Sequence, residues 1–365
     1  MQLTSLVPLA FAALAAAAQP LDAVLKANSD SLSTFAALLA TVPAVGQTIT
    51  KAVDTTILAP SNNAFAKAMQ ADPTFAQRAA TNATFLTDLL LYHVVTGKTM
   101  AAMFPENSKF AHTLLETPAA NVTGNQKVEL LRKGEQARVF SGYKQLSVVT
   151  KPDITYAGGV LHVLDSVLTF PGTPAETAMD TGLTSMAGAL KRAGLAEGVD
   201  SLQAATVLAP TNAAFQAIGA TVASMEPADL ARILEYHVLM NQVRFSPGIT
   251  LKMGYKTLMG EKVTLRKLDG LLYANSARIT IADIITTDGV MHVVDSVLNP
   301  ASPRLSPGAG TPAFEGAVQA ANAPFTDGVK PTAVFVPADS GARGPSVSVR
   351  PAVLGILVCL AFAYL

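Results

Sequence analysis

Thr56–Phe65, T-I-L-A-P-S-N-N-A-F, and Thr206–Phe215, T-V-L-A-P-T-N-A-A-F, are near copies of one another within a chain of 365 residues. In each, a β-rich run meets a proline, Pro60 or Pro210, which has no N–H to give to a sheet ladder. The residue that follows, Ser61 or Thr211, is of the type that caps a helix. A strand-to-helix junction is therefore predicted twice, with Phe65 and Phe215 as the first core residues of each helix. Two further blocks return in the same order. Y-H-V-V (Tyr92–Val95) returns as Y-H-V-L (Tyr236–Leu239), and G-G-V-L-H-V-L-D-S-V-L (Gly158–Leu168) as D-G-V-M-H-V-V-D-S-V-L (Asp288–Leu298). Three ordered blocks mean a duplicated domain.

Leu86, Leu89, Leu90 and His93 fall at i, i+3, i+4 and i+7, as do Leu230, Ile233, Leu234 and His237, so each set shares one helical face. The histidines thus sit on an apolar stripe. The third block alternates with a period of two and is largely apolar on both sides, the pattern of a strand covered on both faces. The first copy is the longer, and both N-glycosylation sequons, at Asn82 and Asn121, lie in its expanded intervals. Insertions of this kind belong on surface loops, where a glycan can be carried.

Half of the residues are apolar, 14% are charged, 26 basic residues balance 26 acidic ones, and mean hydropathy is +0.36. Without a basic cluster the electrostatic footprint of nucleic-acid binding is missing. The single cysteine, Cys359, excludes a disulfide scaffold, an iron–sulfur site and a CxxC zinc knuckle. Residues 1–18 read as a signal peptide, uncharged and ending in Ala16-Ala17-Ala18. Residues 341–365 read as a glycolipid-anchor signal that is removed, with Ser340 and Gly341 as attachment candidates, a polar spacer, and an uncharged tail too short to span a bilayer. Losing both ends removes Arg343, Arg350 and Cys359 and leaves 24 basic against 26 acidic residues. The expected divisions are a first domain over 19–170, a second over 174–300, and a Pro/Ser/Thr stalk over 301–340. Within that stalk Pro331–Ser340 resembles the first block a third time and reads as a decayed repeat acting as a spacer.

The combination T-[VI]-L-A-P-[ST]-N-x-A-F, Y-H and G-V-x-H-V-x-D-S-V-L resembles the fasciclin domain, over about residues 21–300 and in both copies. The resemblance implies an α+β fold, each domain a β-wedge of two sheets flanked by a group of helices, in tandem duplication. It also implies a non-catalytic role outside the cell, in contact with other proteins, matrix or cell-wall polysaccharide, with the membrane reached through the lipid anchor and no cofactor required. The family's Tyr-His motif falls on Tyr92-His93 and Tyr236-His237. Its Asp-Ile interaction motif is similar to Asp153-Ile154 and Asp283-Ile284, although the wider flanks differ. These eight residues are the interaction candidates, with a purely structural role as the other reading.

The other function class to weigh is an extracellular hydrolase or small-ligand carrier using His162, Asp165 and Ser166 with their copies His292, Asp295 and Ser296. A hydrolase triad needs three convergent side chains. On a strand His162 and Ser166 point one way and Asp165 the other, so a core histidine and a strand-end aspartate that satisfies backbone groups is the expected arrangement. GxSxG, HExxH and a glycine-rich phosphate loop are all missing from the sequence.

Overall fold

The computed structural model describes residues 19–116, 122, 124–302, 307 and 313–338. The signal-peptide and anchor-signal segments, Asn121, Ser340 and Gly341 lie outside the described residues.

The first domain opens with three helices, α1 (Leu21–Ala27), α2 (Ser29–Thr41) and α3 (Pro43–Lys51), followed by strand β1 (Thr55–Pro60). Helices α4 (Asn62–Ala71), α5 (Phe75–Thr81) and α6 (Ala83–Tyr92) come next, then β2 (Val94–Thr96), β3 (Lys109–His112), β4 (Lys127–Lys133), β5 (Gln136–Phe140), β6 (Leu146–Tyr156) and β7 (Gly159–Leu164). The second domain repeats this with α7 (Pro174–Asp180), α8 (Thr184–Arg192), α9 (Ala196–Asp200), β8 (Ala205–Pro210), α10 (Asn212–Ala217), α11 (Gly219–Ala223) and α12 (Pro227–Tyr236). Its strands continue as β9 (Val238–Leu239), β10 (Met253–Lys256), β11 (Lys262–Leu268), β12 (Leu271–Ala274), β13 (Ala277–Ile285) and β14 (Gly289–Val294).

Each domain is one seven-stranded sheet, ordered β2-β1-β7-β6-β5-β4-β3 and β10-β11-β12-β13-β14-β8-β9. A bridge between Val95 and Thr113, and another between Leu239 and Thr257, almost closes each sheet on itself. Two halves result, sharing the long strands β6 and β13, whose register slips twice against β7 and β14. A bulge in a strand of this length bends it, and here it turns one half of the wedge into the other.

The repeated strand-to-helix junction forms as its residues require. Pro60 and Pro210 end the strands, and the hydroxyls of Ser61 and Thr211 accept from the N–H groups of Ala64 and Ala214 at 3.1 and 3.0 Å. Along β1, Ile57 and Ala59 join the core beneath the helices while Leu58 joins the core between the two half-sheets. Val207, Ala209 and Leu208 divide in the same way. Both faces of the central strands are covered, which is why every residue of β1, β7, β8 and β14 is buried. Parallel pairing of β1 with β7 brings backbones so close that a Cβ on Gly159 would lie 1.9 Å from the Thr55 carbonyl; the matching figure for Gly289 and Ala205 is 2.0 Å. This accounts for the repeated glycine of the third block.

Over residues 313–338, part of the segment expected to be a stalk, the chain lies back along the second domain and reaches the first. Gly188 on α8 leaves room for the Phe325 carbonyl, which a Cβ there would approach to 1.8 Å, and Phe325 packs edge-on against Phe215. Asp180, 3% exposed, accepts from the N–H of Thr332 at 2.9 Å and from its hydroxyl. Phe335 then stacks on Tyr143 of the first domain at 4.2 Å. Over its described residues, 331–338, the third likeness to the strand block forms no strand, and Val334 and Val336 are 79% and 78% exposed. Among the described residues no strand pairs with them.

Candidate functional site

Tyr92 ends α6 and His93 follows it as the helix C-cap. Tyr92 is fully buried between the half-sheets, stacked on Phe170 at 5.4 Å, with its hydroxyl donating to the Lys127 carbonyl at 3.3 Å. His93, at the helix C-cap, is 1% exposed. Its Nδ1–H donates to the Leu89 carbonyl at 2.6 Å, and its Nε2 accepts from the Leu168 N–H at 3.0 Å. Tyr236 and His237 repeat this: the tyrosine donates to Lys262 at 3.1 Å, and the histidine bonds Ile233 at 2.8 Å and Leu298 at 2.9 Å. One imidazole nitrogen donates and the other accepts, so the neutral ring satisfies both partners. Burial lowers both histidines to about 4 against a backbone hydrogen bond that favours the charged form. The Tyr-His pair therefore rivets a helix end to the sheet and to the segment leaving it.

Asp153 and Asp283 occupy the bulges of β6 and β13 with φ of 63° and 66°. His162 and His292 hold these bulges in place. Nδ1 of each accepts the aspartate N–H at 3.1 Å, and Nε2–H donates to the Thr99 carbonyl at 2.9 Å or the Arg244 carbonyl at 2.7 Å. Each carboxylate in turn caps a short 3-10 turn, Asp153 accepting from the Ala101 N–H at 2.8 Å and Asp283 from the Ser246 N–H at 2.7 Å. Behind them the hydroxyls of Thr56 and Thr206 accept from the N–H groups of Thr99 and Arg244, both at 2.9 Å. These two threonines open the repeated T-[IV]-L-A-P block, and their part in the site was visible in the sequence only as repetition.

The His-x-x-Asp-Ser side chains do not converge. Both ring nitrogens of His162 and of His292 are taken by backbone groups remote from the serines, and Asp165 and Asp295 accept the Val148 and Arg278 N–H groups at 2.8 and 2.9 Å. Among the described residues, no group of three or more His, Cys, Asp or Glu side chains could hold a metal ion.

The two Asp-Ile sites differ in access. The Asp153 side chain is 33% exposed, whereas that of Asp283 is 1% exposed. Ile154 is partly buried and Ile284 fully so. The cause is the first domain itself, whose residues 142–144 press on β13 with Tyr143 and Lys144 in left-handed conformation at φ 56° and 57°. The buried Lys144 ammonium pairs with Glu129 at 2.6 Å and donates to the Asp283 carbonyl at 3.3 Å. Ser108 donates to the other Glu129 oxygen. Burial pushes the Glu129 carboxyl up, Lys144 opposes this, and the Asp283 charge adds to it. Gln126 donates to the Thr287 carbonyl at 3.0 Å, and Phe110 stacks on Phe245 at 3.8 Å. The junction is thus a built interface, and it seals one Asp-Ile copy while leaving the other at the surface. None of Gln126, Glu129 and Lys144 lies in a repeated block, so repetition could not point to them.

Asn82, the described sequon asparagine, is exposed at the N-terminus of α6, where its Oδ1 accepts from the Phe85 N–H at 2.9 Å.

The chain matches the family model of the fasciclin domain over residues 30–170 and 181–300. It is 30% identical over 310 residues to a fasciclin-like arabinogalactan protein of Arthroderma benhamiae, covering 83% of this chain and 73% of that one. It is 32% identical over 176 residues to transforming growth factor-beta-induced protein ig-h3 of Sus scrofa, covering 46% of this chain and 26% of that one. A solved FAS1 domain pair from the insect cell adhesion molecule fasciclin I aligns with a TM-score of 0.38 and 17% identity, covering 76% of this chain and all of that one. With the three repeated blocks, the twice-built seven-stranded sheet and the family match over most of its length, this chain belongs to the fasciclin-domain family, as a tandem pair of fasciclin domains.

Proposed function

We propose that this chain is a non-catalytic adhesion protein of the cell surface, secreted, N-glycosylated at Asn82 and Asn121, and held by a lipid anchor attached near Ser340 or Gly341. Its contacts are with extracellular proteins, matrix or cell-wall polysaccharide, made through the bulge face of the first domain. The observation that carries the reading is the difference between the Asp-Ile copies: Asp153 remains one-third exposed while Asp283 is sealed by the neighbouring domain. Around Asp153 the strand is open at Lys151, Pro152 and Thr155, and Met103 on the adjacent 3-10 turn is 64% exposed. These exposed side chains are the surface a partner would meet beside the rigid, hydrogen-bonded bulge. The ordered roles of the buried histidines favour a scaffold over a reaction centre.

The test is attachment of cells to immobilised protein. Met103→Glu is expected to reduce attachment, while Val53→Glu, at a site 80% exposed, is expected to leave it unchanged. Equal attachment by both variants would remove the bulge face from the proposal. Release of the protein from intact cells by a phosphatidylinositol-specific phospholipase tests the anchor separately, and retention after an active digest counts against it.

A further inference from the structure

Between the domains runs a cleft of about 430 Å³, within the range of ligand sites. Its walls come from the loop before β3 and the end of β4 on one side, and from the turn after Arg244, the β11–β12 hairpin and β13 on the other. Four cations line it, Arg132, Lys133, Lys267 and Arg278, against one carboxylate, Glu106. Arg132 already pairs with Glu106 at 3.2 Å and also donates to the Phe104 and Gly134 carbonyls. That leaves Lys133, Lys267 and Arg278, whose side chains make no ion pair and no hydrogen bond among the described residues; Arg278 Nε is buried as well as unpartnered. A buried donor left unspent, as the Arg278 Nε–H is, calls for a partner, while Lys133 and Lys267 reach solvent at the cleft.

The remaining lining is aliphatic, including Ile249, Leu271 and Leu272. At the rim, Leu268, which follows the lining residue Lys267 and pairs across the hairpin with Leu271, is 42% exposed, and Leu251, which follows the lining residue Thr250, is 73% exposed. Among the described residues no aromatic ring lines the cleft, so a sugar ring finds no face to stack on there. Three free cations beside an aliphatic wall complement a chain that alternates carboxylates with aliphatic side chains.

We propose that this cleft binds an acidic, aliphatic-rich peptide segment of a partner protein, with its carboxylates on Lys133, Lys267 and Arg278 and its apolar side chains on Leu271 and the rim. Lys133 belongs to the first domain and the other two cations to the second, so the site exists only in the tandem pair, at the orientation held by the bonds of Lys144 to the Asp283 carbonyl and of Gln126 to the Thr287 carbonyl and by the Phe110–Phe245 stack. The proposal rests on the adhesive reading in taking that partner to be an extracellular protein.

The experiment is fluorescence anisotropy of the full secreted chain with a short labelled peptide of Glu and Leu. Lys133→Glu combined with Lys267→Glu, both exposed positions, is expected to weaken binding about tenfold or more. Lys26→Glu combined with Lys51→Glu makes the same charge change on α1 and α3 and is expected to leave binding near the parent value. Should the first pair compromise folding, judged by circular dichroism, Lys133→Ala and Lys267→Ala singly give the same comparison. Equal weakening by both pairs, or no binding of the peptide, overturns the proposal. Binding of oligogalacturonate at the cleft in place of the peptide also overturns it. Cell attachment measured on the same variants separates the two readings: failure of the parent to support attachment refutes adhesion whatever the anisotropy shows, and peptide binding that is indifferent to the cleft lysines refutes the cleft alone.

Discussion

Replacing Lys144 by Met tests the built junction most directly. Met keeps much of the side-chain volume and removes the ammonium. Glu129, with 0% of its side chain exposed, then keeps only the Ser108 hydroxyl as a side-chain partner, and the Asp283 carboxylate that already disfavours its ionisation remains nearby. Breaking a buried pair from one side costs about 3–5 kcal/mol, because the remaining charge is left without compensation. An exposed pair such as Arg132–Glu106, in contrast, is worth about 0–1 kcal/mol. For a domain of this size the larger figure corresponds to a fall in midpoint of roughly 6–20 °C.

The pH dependence carries a sign. Burial already holds the Glu129 carboxyl above its ordinary range, and loss of the ammonium raises it further. A carboxyl whose folded value lies above its unfolded one contributes stability below the unfolded value and loses it as pH rises through the folded one. The deficit of Lys144→Met is therefore expected to be large at pH 8 and smaller at pH 5, and Glu129→Gln in the same chain should recover much of it. Because the sequence has no tryptophan, the assay is urea unfolding followed by far-ultraviolet circular dichroism at several pH values. A variant within about 1 kcal/mol of the parent at every pH, a difference of the size expected for an exposed pair, would refute the reasoning.

The paired histidines predict an acid transition in the parent. His93 and His237 are held neutral at about 4 against about 6.5 in an unfolded chain, so the stability they contribute is complete above about pH 6.5 and is lost as pH falls toward 4, up to about 3 kcal/mol for each ring. Urea unfolding at pH 7, 5 and 4 should show the decline, and ring resonances titrating near the ordinary histidine value would contradict it. At the C-terminal segment, Asp180→Ala removes the acceptor for the Thr332 N–H and hydroxyl and the Ala333 N–H. Limited proteolysis is then expected to cut within 313–338 several times faster than in the parent while both domains persist, and an unchanged cleavage pattern would show that this segment is held by other contacts.

Legibility in the sequence followed the range of the interactions. Pro60, Ser61 and Phe65 announce a strand end, a cap and a core residue because all three effects act within a few positions, and the same holds at Pro210, Thr211 and Phe215. The period that placed His93 with Leu86 and Leu89 put it on an apolar stripe, and it is buried there. Its second bond, to Leu168, spans 75 residues, and that of His237 to Leu298 spans 61. Composition and periodicity hold no record of such distances.

The sequence alone was sufficient for the duplication, the covered central strands and the alternation that separates His162 from Asp165, because repetition, proline chemistry and side-chain period are properties of neighbouring residues. Only the tertiary structure decided that a lysine from an unrepeated stretch would be buried at the domain junction, that one Asp-Ile bulge would be sealed and the other left open, and that a segment with the composition of a stalk would lie in notches at Gly188 and Gly219. Each of these depends on two surfaces meeting in space. A charge is tolerated in the interior only when its partner arrives there too, and which residues arrive together is set by the packing of the two domains.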